Sequence, residues 1–340
     1  MTTFLLCIGC QKGGTTWLSE YLRGFPEVRL GIRKEMHVLD VRFVPVNRSW
    51  HQDRIAGRKT QIARMGASGD QKARARLERE IAGYREAEAL VPDLDAYARY
   101  FRARADSDPG VRLVADLTPD YALLGAQDWA EVRETLERHG FTPKIFFLMR
   151  DPVSRLESIW RMTARDDAGK ALRGASLWTR AAHKALARAR HVAARLGLQA
   201  SGGKFAAFAA TPPNLQRSQF ETTIAAVESV FPAAQVHYDF YETLFTPEAL
   251  TDLMEFLDLP LRPANFAERV NASPLQVPLA ASERTSVARM LEPTYRFCAA
   301  RFGAERIQKI WRNAPDLTRG TEAGPVQASP GPKAGDELAF

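Results

Sequence analysis

A glycine-rich loop near the N-terminus contains the residues best placed to bind an anionic ligand. It follows an apolar run at residues 4–8 and leads into a predicted helix at residues 15–23. Backbone N–H groups and the positive end of the helix dipole converge at such a junction, so an anion is favoured there before any side chain contributes. The loop and the first helical residues are Gln11, Lys12, Gly13, Gly14, Thr15 and Thr16. This arrangement predicts a phosphate-binding loop.

The loop differs from a nucleoside-triphosphate loop in the position of its lysine. The pattern GxxxxGK[ST], counted from Gly9, has its second glycine at Gly14. Thr16 supplies the hydroxyl, but Thr15 occupies the lysine position, and the lysine of this loop is Lys12. A loop that keeps the phosphate cradle and moves its cation favours a nucleotide whose reactive group is not a γ-phosphate.

Apolar runs that alternate with helical patterns predict an α/β fold with a doubly wound parallel sheet. The predicted strands are residues 4–8, 28–30, 111–115, 144–149 and 235–238. The predicted helices between and after them include residues 15–23, 128–139 and 152–161. We expect the sheet and its helices to form one domain over residues 1–312.

Two polar, arginine-rich stretches interrupt this pattern, and we expect them to be insertions over one edge of the sheet. Residues 42–95 contain one predicted helix at residues 71–89, and residues 162–213 contain a basic helix at residues 177–196. The basic helix either binds an anionic acceptor, such as a polysaccharide or a lipid headgroup, or is a solvated face. Residues 313–340 lack apolar periodicity and are predicted to be a disordered tail.

Polar residues follow each of the first four predicted strands. Ligands of an open parallel sheet bind beyond the carboxyl ends of its strands. The first strand is followed by the loop with Lys12, and the next three are followed by residues 33–37, 116–121 and 150–152. We therefore expect all four segments to face one cleft.

The same segments resemble motifs of the sulfotransferases that use 3′-phosphoadenosine 5′-phosphosulfate (PAPS). Residues 11–16 resemble the 5′-phosphosulfate loop of that family, and residues 145–158 resemble its 3′-phosphate motif. Residues 34–40 are similar to the Lys-Glu-Pro-His-Phe-Phe-Asp stretch of carbohydrate and heparan-type members. Residues 116–121 and 241–245 are similar to the family's Glu-Lys-Ser/Thr-Pro-x-Tyr and Tyr-Glu-Asp-Leu elements. The five motifs occur in the family's order.

The resemblance covers about residues 4–310 and implies the P-loop sulfotransferase fold in a soluble protein of bacterial type. It implies transfer of a sulfuryl group from PAPS to a hydroxyl or amine of an acceptor, with release of 3′-phosphoadenosine 5′-phosphate (PAP). The acceptor would be a carbohydrate or another small metabolite, anionic or neutral. Leu117 stands where heparan-type members have a lysine, which argues against a heparan-like acceptor. Because the transferred group bears a single negative charge, we expect no obligatory metal ion.

Roles for individual side chains follow from the same resemblance and from charge. The residues predicted to bind PAPS are Lys12, Gly13, Gly14, Thr15, Thr16, Arg150 and Ser158. Glu35 corresponds to the family's proposed catalytic base, Lys12 is placed to stabilise charge on the leaving phosphate oxygen, and His37 orients Glu35 or shares its role. The predicted acceptor-binding residues are Asp40, Asp116 and Thr118.

Two of these side chains have a competing ion pair in the sequence. Arg150 either forks onto the 3′-phosphate or forms a salt bridge with Asp151. Glu35 either accepts a proton or forms an ion pair with Arg33 or Lys34. The choice between these alternatives requires the geometry of the site.

Structural alternatives also remain for four further residues. His37 could be an ordinary packed histidine, and Ser158 could be a buried helix serine. Asp40 holds the acceptor, holds the His37 ring or caps a helix. Trp17, next to the loop, is predicted to pack in the core rather than to bind adenine.

Cysteine content and hydropathy favour a cytoplasmic protein, and length and charge limit its class. A chain of 340 residues with 45% hydrophobic content can bury a full core. Its net charge of +7 and isoelectric point near 9.4 indicate either an anionic partner or a basic solvated surface. Three cysteines imply no disulfide framework, and no apolar run approaches the ~18 residues of a membrane span. Composition does not predict the oligomeric state.

Two other functional classes remain as alternatives. A P-loop kinase or NTPase would use Mg-ATP, with Asp116 as the magnesium ligand. A basic nucleic-acid-binding protein would use the high isoelectric point and the helix at residues 177–196. The sequence contains no recognisable nucleic-acid motif, so we expect no nucleic-acid partner.

Overall fold

Five parallel strands form one sheet in the order β2-β3-β1-β4-β5. The structure is a computed structural model that describes residues 2–65, 70–172, 203–266 and 279–317. The strands are β1 (Thr2–Gly9), β2 (Val28–Leu30), β3 (Leu113–Asp116), β4 (Phe141–Met149) and β5 (Val236–Phe240). Each corresponds to a predicted strand with small differences at its ends, which confirms the α/β fold class.

Helices connect and cover these strands. Those before residue 173 are α1 (Thr15–Arg23), α2 (Leu39–Phe43), α3 (Trp50–Met65), α4 (Gln71–Leu90), α5 (Leu94–Ala105), α6 (Ala126–Arg138) and α7 (Pro152–Leu172). Those after residue 203 are α8 (Lys204–Ala209), α9 (Pro212–Gln216), α10 (Phe220–Glu228), α11 (Pro247–Leu257), α12 (Ala281–Met290), α13 (Glu292–Phe302) and α14 (Ala304–Ile310). The helix predicted from Pro152 continues to Leu172, since no proline follows to stop it.

Both faces of the sheet are buried, as a doubly wound sheet requires. In β1, Phe4 and Leu6 point to one face and Leu5 and Cys7 point to the other, all without exposed surface. Helices α5, α6, α10 and α13 pack on the first face, and α1 and α11 pack on the second. This two-sided burial explains why β1 is a continuous apolar run instead of an alternating one.

Residues 42–95 contain more helix than their sequence predicts. Helix α3 buries only His51 and Ile55, so it lacks the apolar stripe by which a helix is recognised. It packs beside α4, the helix predicted at residues 71–89. Helix α3 matters for function because its first turn reaches the candidate site.

The C-terminal segment is packed further along than predicted. Trp311 is fully buried and contacts the rings of Phe220, Phe240 and Tyr295. Residues 313–317, which were predicted to begin the disordered tail, make contacts in the structure: the Asn313 side chain bonds to a buried carboxylate, and Leu317 is 5% exposed. Such single contacts leave no periodic pattern in a sequence. Residues 318–340 lie outside the described residues.

Three further predictions concern other parts of the chain. The basic helix at residues 177–196 lies outside the described residues. Cys7, Cys10 and Cys298 are buried and form no disulfide. Within the described ranges, no helix has the length and apolarity needed to cross a membrane.

Candidate active site

The loop between β1 and α1 presents backbone N–H groups to an anion. Gly14 is the N-cap of α1 in a left-handed conformation, with φ of 96°, and it offers no side-chain cap. The first turn of α1 contains no acidic side chain. The loop is narrow at Gly13, where a Cβ atom would lie 2.8 Å from the carbonyl oxygen of Cys10. An uncapped helix N-terminus behind a tight glycine turn is suited to a phosphate group.

Lys12 extends from this loop towards α7. Its backbone has a positive φ of 69°, and its Nζ lies 3.9 Å from Sδ of Met162. Behind it, burial raises the pKa of the Cys10 thiol to about 12, so the cysteine stays protonated at neutral pH. Thr15 is buried and Thr16 is half-buried at the start of α1. Among loop residues 11–16, Lys12 contributes the cationic side chain.

Arg150, at the end of β4, is joined to the loop. Its Nη1 donates to the carbonyl oxygen of Lys12 at 2.8 Å, and its guanidinium lies 4.3 Å from the Tyr241 ring centroid. The buried Nε has no hydrogen-bond partner, and no described carboxylate pairs with this arginine. A half-buried guanidinium with an unused donor beside the loop is suited to a second anionic group.

Asp151, the alternative partner of Arg150, is engaged elsewhere. Its carboxylate accepts hydrogen bonds from the Tyr295 hydroxyl at 2.8 Å and from the backbone and side-chain nitrogens of Asn313, each at 2.9 Å. The structure therefore does not contain the Arg150–Asp151 salt bridge. Ser158 lies half-buried on α7, two turns after Arg150.

Glu35, His37 and Asp40 form a line of alternating charge at the end of β2. His37 Nδ1 donates to Asp40 Oδ2 at 2.9 Å, and His37 Nε2 lies 3.6 Å from Glu35 Oε2. Lys34 Nζ lies 2.5 Å from Glu35 Oε1, so the competing ion pair is also present. The His37 ring stacks on Trp50 with 3.6 Å between centroids. Both nitrogens of this histidine therefore face carboxylates.

These contacts set the protonation states of the acid and the imidazole. Burial alone would lower the pKa of His37, but Asp40, Glu35 and Asp120 raise it to about 9. Burial would raise the pKa of Glu35, but His37 and Lys34 lower it to about 2. At neutral pH the site therefore holds a His37 imidazolium next to an ionised Glu35 carboxylate.

A second ion pair, absent from the sequence prediction, completes this cluster. Asp120 Oδ1 accepts from Arg217 Nε at 2.6 Å, and Asp120 Oδ2 lies 3.8 Å from His37 Nδ1. Asn47 Nδ2 donates to Asp40 Oδ2 at 2.7 Å. No motif could have indicated these partners, because Arg217 is 97 positions from Asp120 and Asn47 ends a short 3₁₀ helix at Pro45–Asn47.

Three of these side chains are close enough together to bind a metal ion. Ligand atoms of His37, Asp40 and Asp120 all lie within 4.8 Å of one another. In the structure, however, the two carboxylates are paired with Arg217, Asn47 and the imidazolium. A metal ion would have to displace the His37 proton from this network.

Asp116 and Thr118, which were predicted to bind the acceptor, lie behind the site. They are 1% and 0% exposed, and the Thr118 hydroxyl donates to Asp116 Oδ1 at 2.7 Å. Asp116 Oδ2 accepts from the hydroxyls of Tyr97 and Tyr121 at 2.9 and 2.7 Å. Burial raises the pKa of Asp116 to about 6, although the three hydroxyl groups lower it. Asp40 is likewise 0% exposed, and it contacts His37 where acceptor contact was predicted.

A cavity of about 60 Å³ joins the loop to the line of charges. Its lining residues are Gln11, Glu35, His37, Trp50, Arg54, Pro119 and Asp120. This space has room for a functional group of an acceptor, such as a hydroxyl or amine. Trp50 and Arg54 come from α3, which the sequence did not predict.

Comparison with known proteins gives similar folds in solved structures. The sequence matches no protein-family model and no curated protein. A sulfotransferase from Alicyclobacillus acidocaldarius is 18% identical with a TM-score of 0.49, over 92% of this chain and 99% of that one. The sulfotransferase domain of the Synechococcus PCC 7002 olefin synthase is 15% identical with a TM-score of 0.41, over 86% and 93%. The sulfotransferase domain from the curacin biosynthetic pathway is 16% identical with a TM-score of 0.38, over 85% and 98%. All three are sulfotransferases.

The predicted site residues occupy four places in the structure, and Ser158 on α7 is one of these. Those in or beside the loop are Lys12, Gly13, Gly14, Thr15, Thr16 and Arg150. Glu35 and His37 line the cavity, and Asp40, Asp116 and Thr118 are buried behind it. Trp17 packs in the core as predicted, stacked on Tyr21 with its Nε1 bonded to the carbonyl oxygen of Asn265 at 3.1 Å.

Proposed function

We propose that this protein is a sulfotransferase that moves a sulfuryl group from PAPS to a hydroxyl or amine of an acceptor. One observation carries the proposal: Gln11 of the phosphate-binding loop lines the same small cavity as Glu35 and His37. Donor and acceptor groups can therefore meet where a proton-accepting carboxylate is already present. Positioning of this kind supplies a large share of catalysis in group transfer.

Two anion-binding elements support PAPS as the donor. The loop with Lys12 is suited to the 5′-phosphosulfate, and Arg150 with Ser158 is suited to the 3′-phosphate. The unpartnered Nε of Arg150 fits this assignment, because a buried donor without an acceptor is costly unless a ligand supplies one. The hydrogen bond from Arg150 to the Lys12 carbonyl oxygen links the two elements.

The proposed reaction is a direct displacement at sulfur. The acceptor oxygen or nitrogen forms a bond to sulfur while the bond from sulfur to the 5′-phosphate oxygen breaks, and PAP leaves. Lys12 stabilises the charge that develops on the leaving oxygen. The acceptor proton passes to the Glu35 carboxylate, which His37 orients from the other side.

The alternative hypothesis of a kinase or NTPase is less well supported than a sulfotransferase. It requires Asp116 to bind magnesium, but the Asp116 carboxylate is 1% exposed and accepts hydrogen bonds from three hydroxyl groups. These donors would have to be displaced before a metal could bind. The cavity also places the Glu35 carboxylate where sulfuryl transfer to a hydroxyl requires a proton acceptor.

Glu35→Gln and Arg150→Ala should separate chemistry from binding. With radiolabelled PAPS and an extract of small metabolites, Glu35→Gln should lower label transfer on the order of 10²–10⁴-fold, because general base catalysis contributes that much. Its affinity for PAP in calorimetry should stay unchanged. Arg150→Ala should instead weaken PAP binding by about ten- to a hundredfold, since a charged hydrogen bond is lost.

Arg112→Ala is the matched control for the arginine variant. Arg112 is exposed and pairs with Asp258. It lies at the amino end of β3, whereas the site lies at the carboxyl ends of the strands, so its removal should leave PAP affinity unchanged. Failure of the wild-type protein to bind PAP or PAPS would contradict the proposal. Binding of PAPS with no label transfer to any metabolite would contradict the reaction while leaving the nucleotide site in place.

A further inference from the structure

The segment that carries Glu35 and His37 is held from behind by two buried hydroxyl groups. The Thr118 Oγ1 accepts the backbone N–H of Met36 at 2.9 Å, with the N–H of His37 at 3.4 Å. The Tyr121 hydroxyl accepts the N–H of Val38 at 3.2 Å. Both hydroxyl-bearing side chains are fully buried.

The direction of these hydrogen bonds is fixed by Asp116. A backbone N–H can only donate, so each hydroxyl oxygen accepts from the segment and has its own proton left to donate. The Asp116 carboxylate accepts both protons, at 2.7 Å from Thr118 to Oδ1 and at 2.7 Å from Tyr121 to Oδ2. An ionised carboxylate has no proton of its own, so it orients both hydroxyls towards itself and leaves their lone pairs to the segment.

The segment needs such support because its backbone is unusual. His37 has a positive φ of 52°, which a residue with a side chain rarely adopts. On the other side, His51 Nε2 donates to the carbonyl oxygen of Met36 at 2.9 Å. The peptide groups of Met36 are thus bonded on both sides, and the side chains of Glu35 and His37 turn towards the cavity.

We infer that Thr118 and Tyr121 are positioning residues for Glu35 and His37, with the Asp116 carboxylate as the shared acceptor that orients both hydroxyls. Their effect on turnover depends on the proposed function. Their effect on the backbone of residues 36–39 does not. The two effects can therefore be measured separately.

Tyr97 provides a matched control within the same cluster. Its hydroxyl donates to the same oxygen of Asp116 at 2.9 Å, and it is as buried as Tyr121. It makes no hydrogen bond to residues 36–39. Tyr97→Phe therefore removes a bond to the carboxylate without removing a contact to the segment.

The experiment compares Thr118→Val, Tyr121→Phe and Tyr97→Phe. NMR hydrogen exchange should show the amide of Met36 exchanging about tenfold faster in Thr118→Val, and that of Val38 in Tyr121→Phe, because each loses its acceptor. Sulfuryl transfer should fall on the order of 10²-fold in both, since displacement by about 1 Å has that effect. PAP affinity should change by less than about twofold. Tyr97→Phe should retain slow exchange at both amides and most of the turnover.

Thr118→Ser should restore slow exchange and turnover, which also covers the case in which Thr118→Val does not fold. The inference is overturned if Tyr97→Phe lowers turnover as much as the other two variants, or if exchange of the two amides is unchanged in Thr118→Val and Tyr121→Phe. If the wild-type protein transfers no sulfuryl group, the proposed function fails, and amide exchange still decides whether the hydroxyls hold the segment.

Discussion

His37 is the residue on which the charge of the site depends. It lies between Asp40 and Glu35, and it stacks on Trp50. Neutral histidine would leave Asp40, which is 0% exposed, without the positive partner that burial demands. The imidazolium therefore has a structural reason to persist well above the pH at which histidine ordinarily loses its proton.

Removing the Asp40 charge should lower the pKa of His37. Asp40→Asn replaces the carboxylate that contributes most to raising this pKa, so an NMR titration should place it below the wild-type value of about 9. Wild-type turnover should fall as the pH rises through 9, because Glu35 loses its imidazolium partner. In Asp40→Asn the fall should begin at lower pH.

Asp95→Asn is the control for this titration. Asp95 pairs with His139 at 2.8 Å, so this variant removes another aspartate–histidine contact without touching the site. It should leave the His37 titration unchanged. An Asp40→Asn protein in which His37 still titrates near 9 would show that Asp40 does not control the imidazole.

Among the individual residues of the site, the sequence predicted those that lie in continuous motifs. Glu35, His37 and Asp40 fall within six consecutive positions, so their proximity could be predicted from the sequence. Arg217 and Asn47 could not be predicted, because they reach the site only through the folded chain. Burial could not be predicted either: Asp116 and Thr118, which were predicted to bind the acceptor, are 1% and 0% exposed in the structure.

In the turn from β1 into α1, Gly14 meets two structural requirements, one on its backbone conformation and one on the space beside it. Gly14 must adopt a left-handed conformation, and it must leave room for the Tyr241 ring, which would lie 3.2 Å from an added Cβ. Tyr241 in turn supports the Arg150 guanidinium. The loop and the arginine therefore depend on the same small residue.

Gly14→Ala should weaken both stability and PAP binding. The left-handed conformation costs a residue with a side chain about 1–2 kcal/mol, and the Tyr241 contact disturbs the second anion-binding element. Gly140→Ala is the control, because Gly140 has a φ of 77° with nothing within 4 Å of its Cβ position and precedes β4. Urea unfolding should show a similar loss for both variants, and calorimetry should show weaker PAP binding for Gly14→Ala alone. Equal PAP affinities in the two would contradict a role for this turn in binding.

Elements with strong patterns were predictable, and those held by single contacts were not. The central strands β1, β3 and β4 contain apolar runs that are buried on both faces, so their order along the chain could be predicted from the sequence. Helix α3 buries only two side chains, and its helical character depends on packing against α4. Since α3 supplies Trp50 and Arg54, this part of the cavity wall could not be predicted from the sequence.

For the molecule as a whole, the described C-terminal segment closes the sheet edge that carries the site. Trp311 donates from Nε1 to Glu242 Oε2 at 3.2 Å, and Asn313 bonds to Asp151. Glu242 lies two residues after β5, and Asp151 lies two residues after β4. The end of the described chain therefore fixes the residues next to Arg150, although it lies about 160 positions away in the sequence.

Protonation of the site should also be visible in the stability of the whole molecule. The pKa of His37 rises from 6.5 to about 9 on folding, so its stabilising contribution is complete below pH 6.5 and is lost as the pH rises to 9. Over this range the free energy of unfolding should fall by up to about 1.4 kcal/mol per pH unit from this group. Burial lowers the pKa values of His51 and His237. These two histidines therefore affect the free energy of unfolding only below pH 6.5, where they make it rise with pH. Urea unfolding at pH 6.5, 7.5 and 8.5 should show the fall in the wild-type protein and a flatter profile in His37→Gln. Parallel profiles for the two proteins would mean that His37 is not charged in the folded state, and the orientation of Glu35 would then need another source.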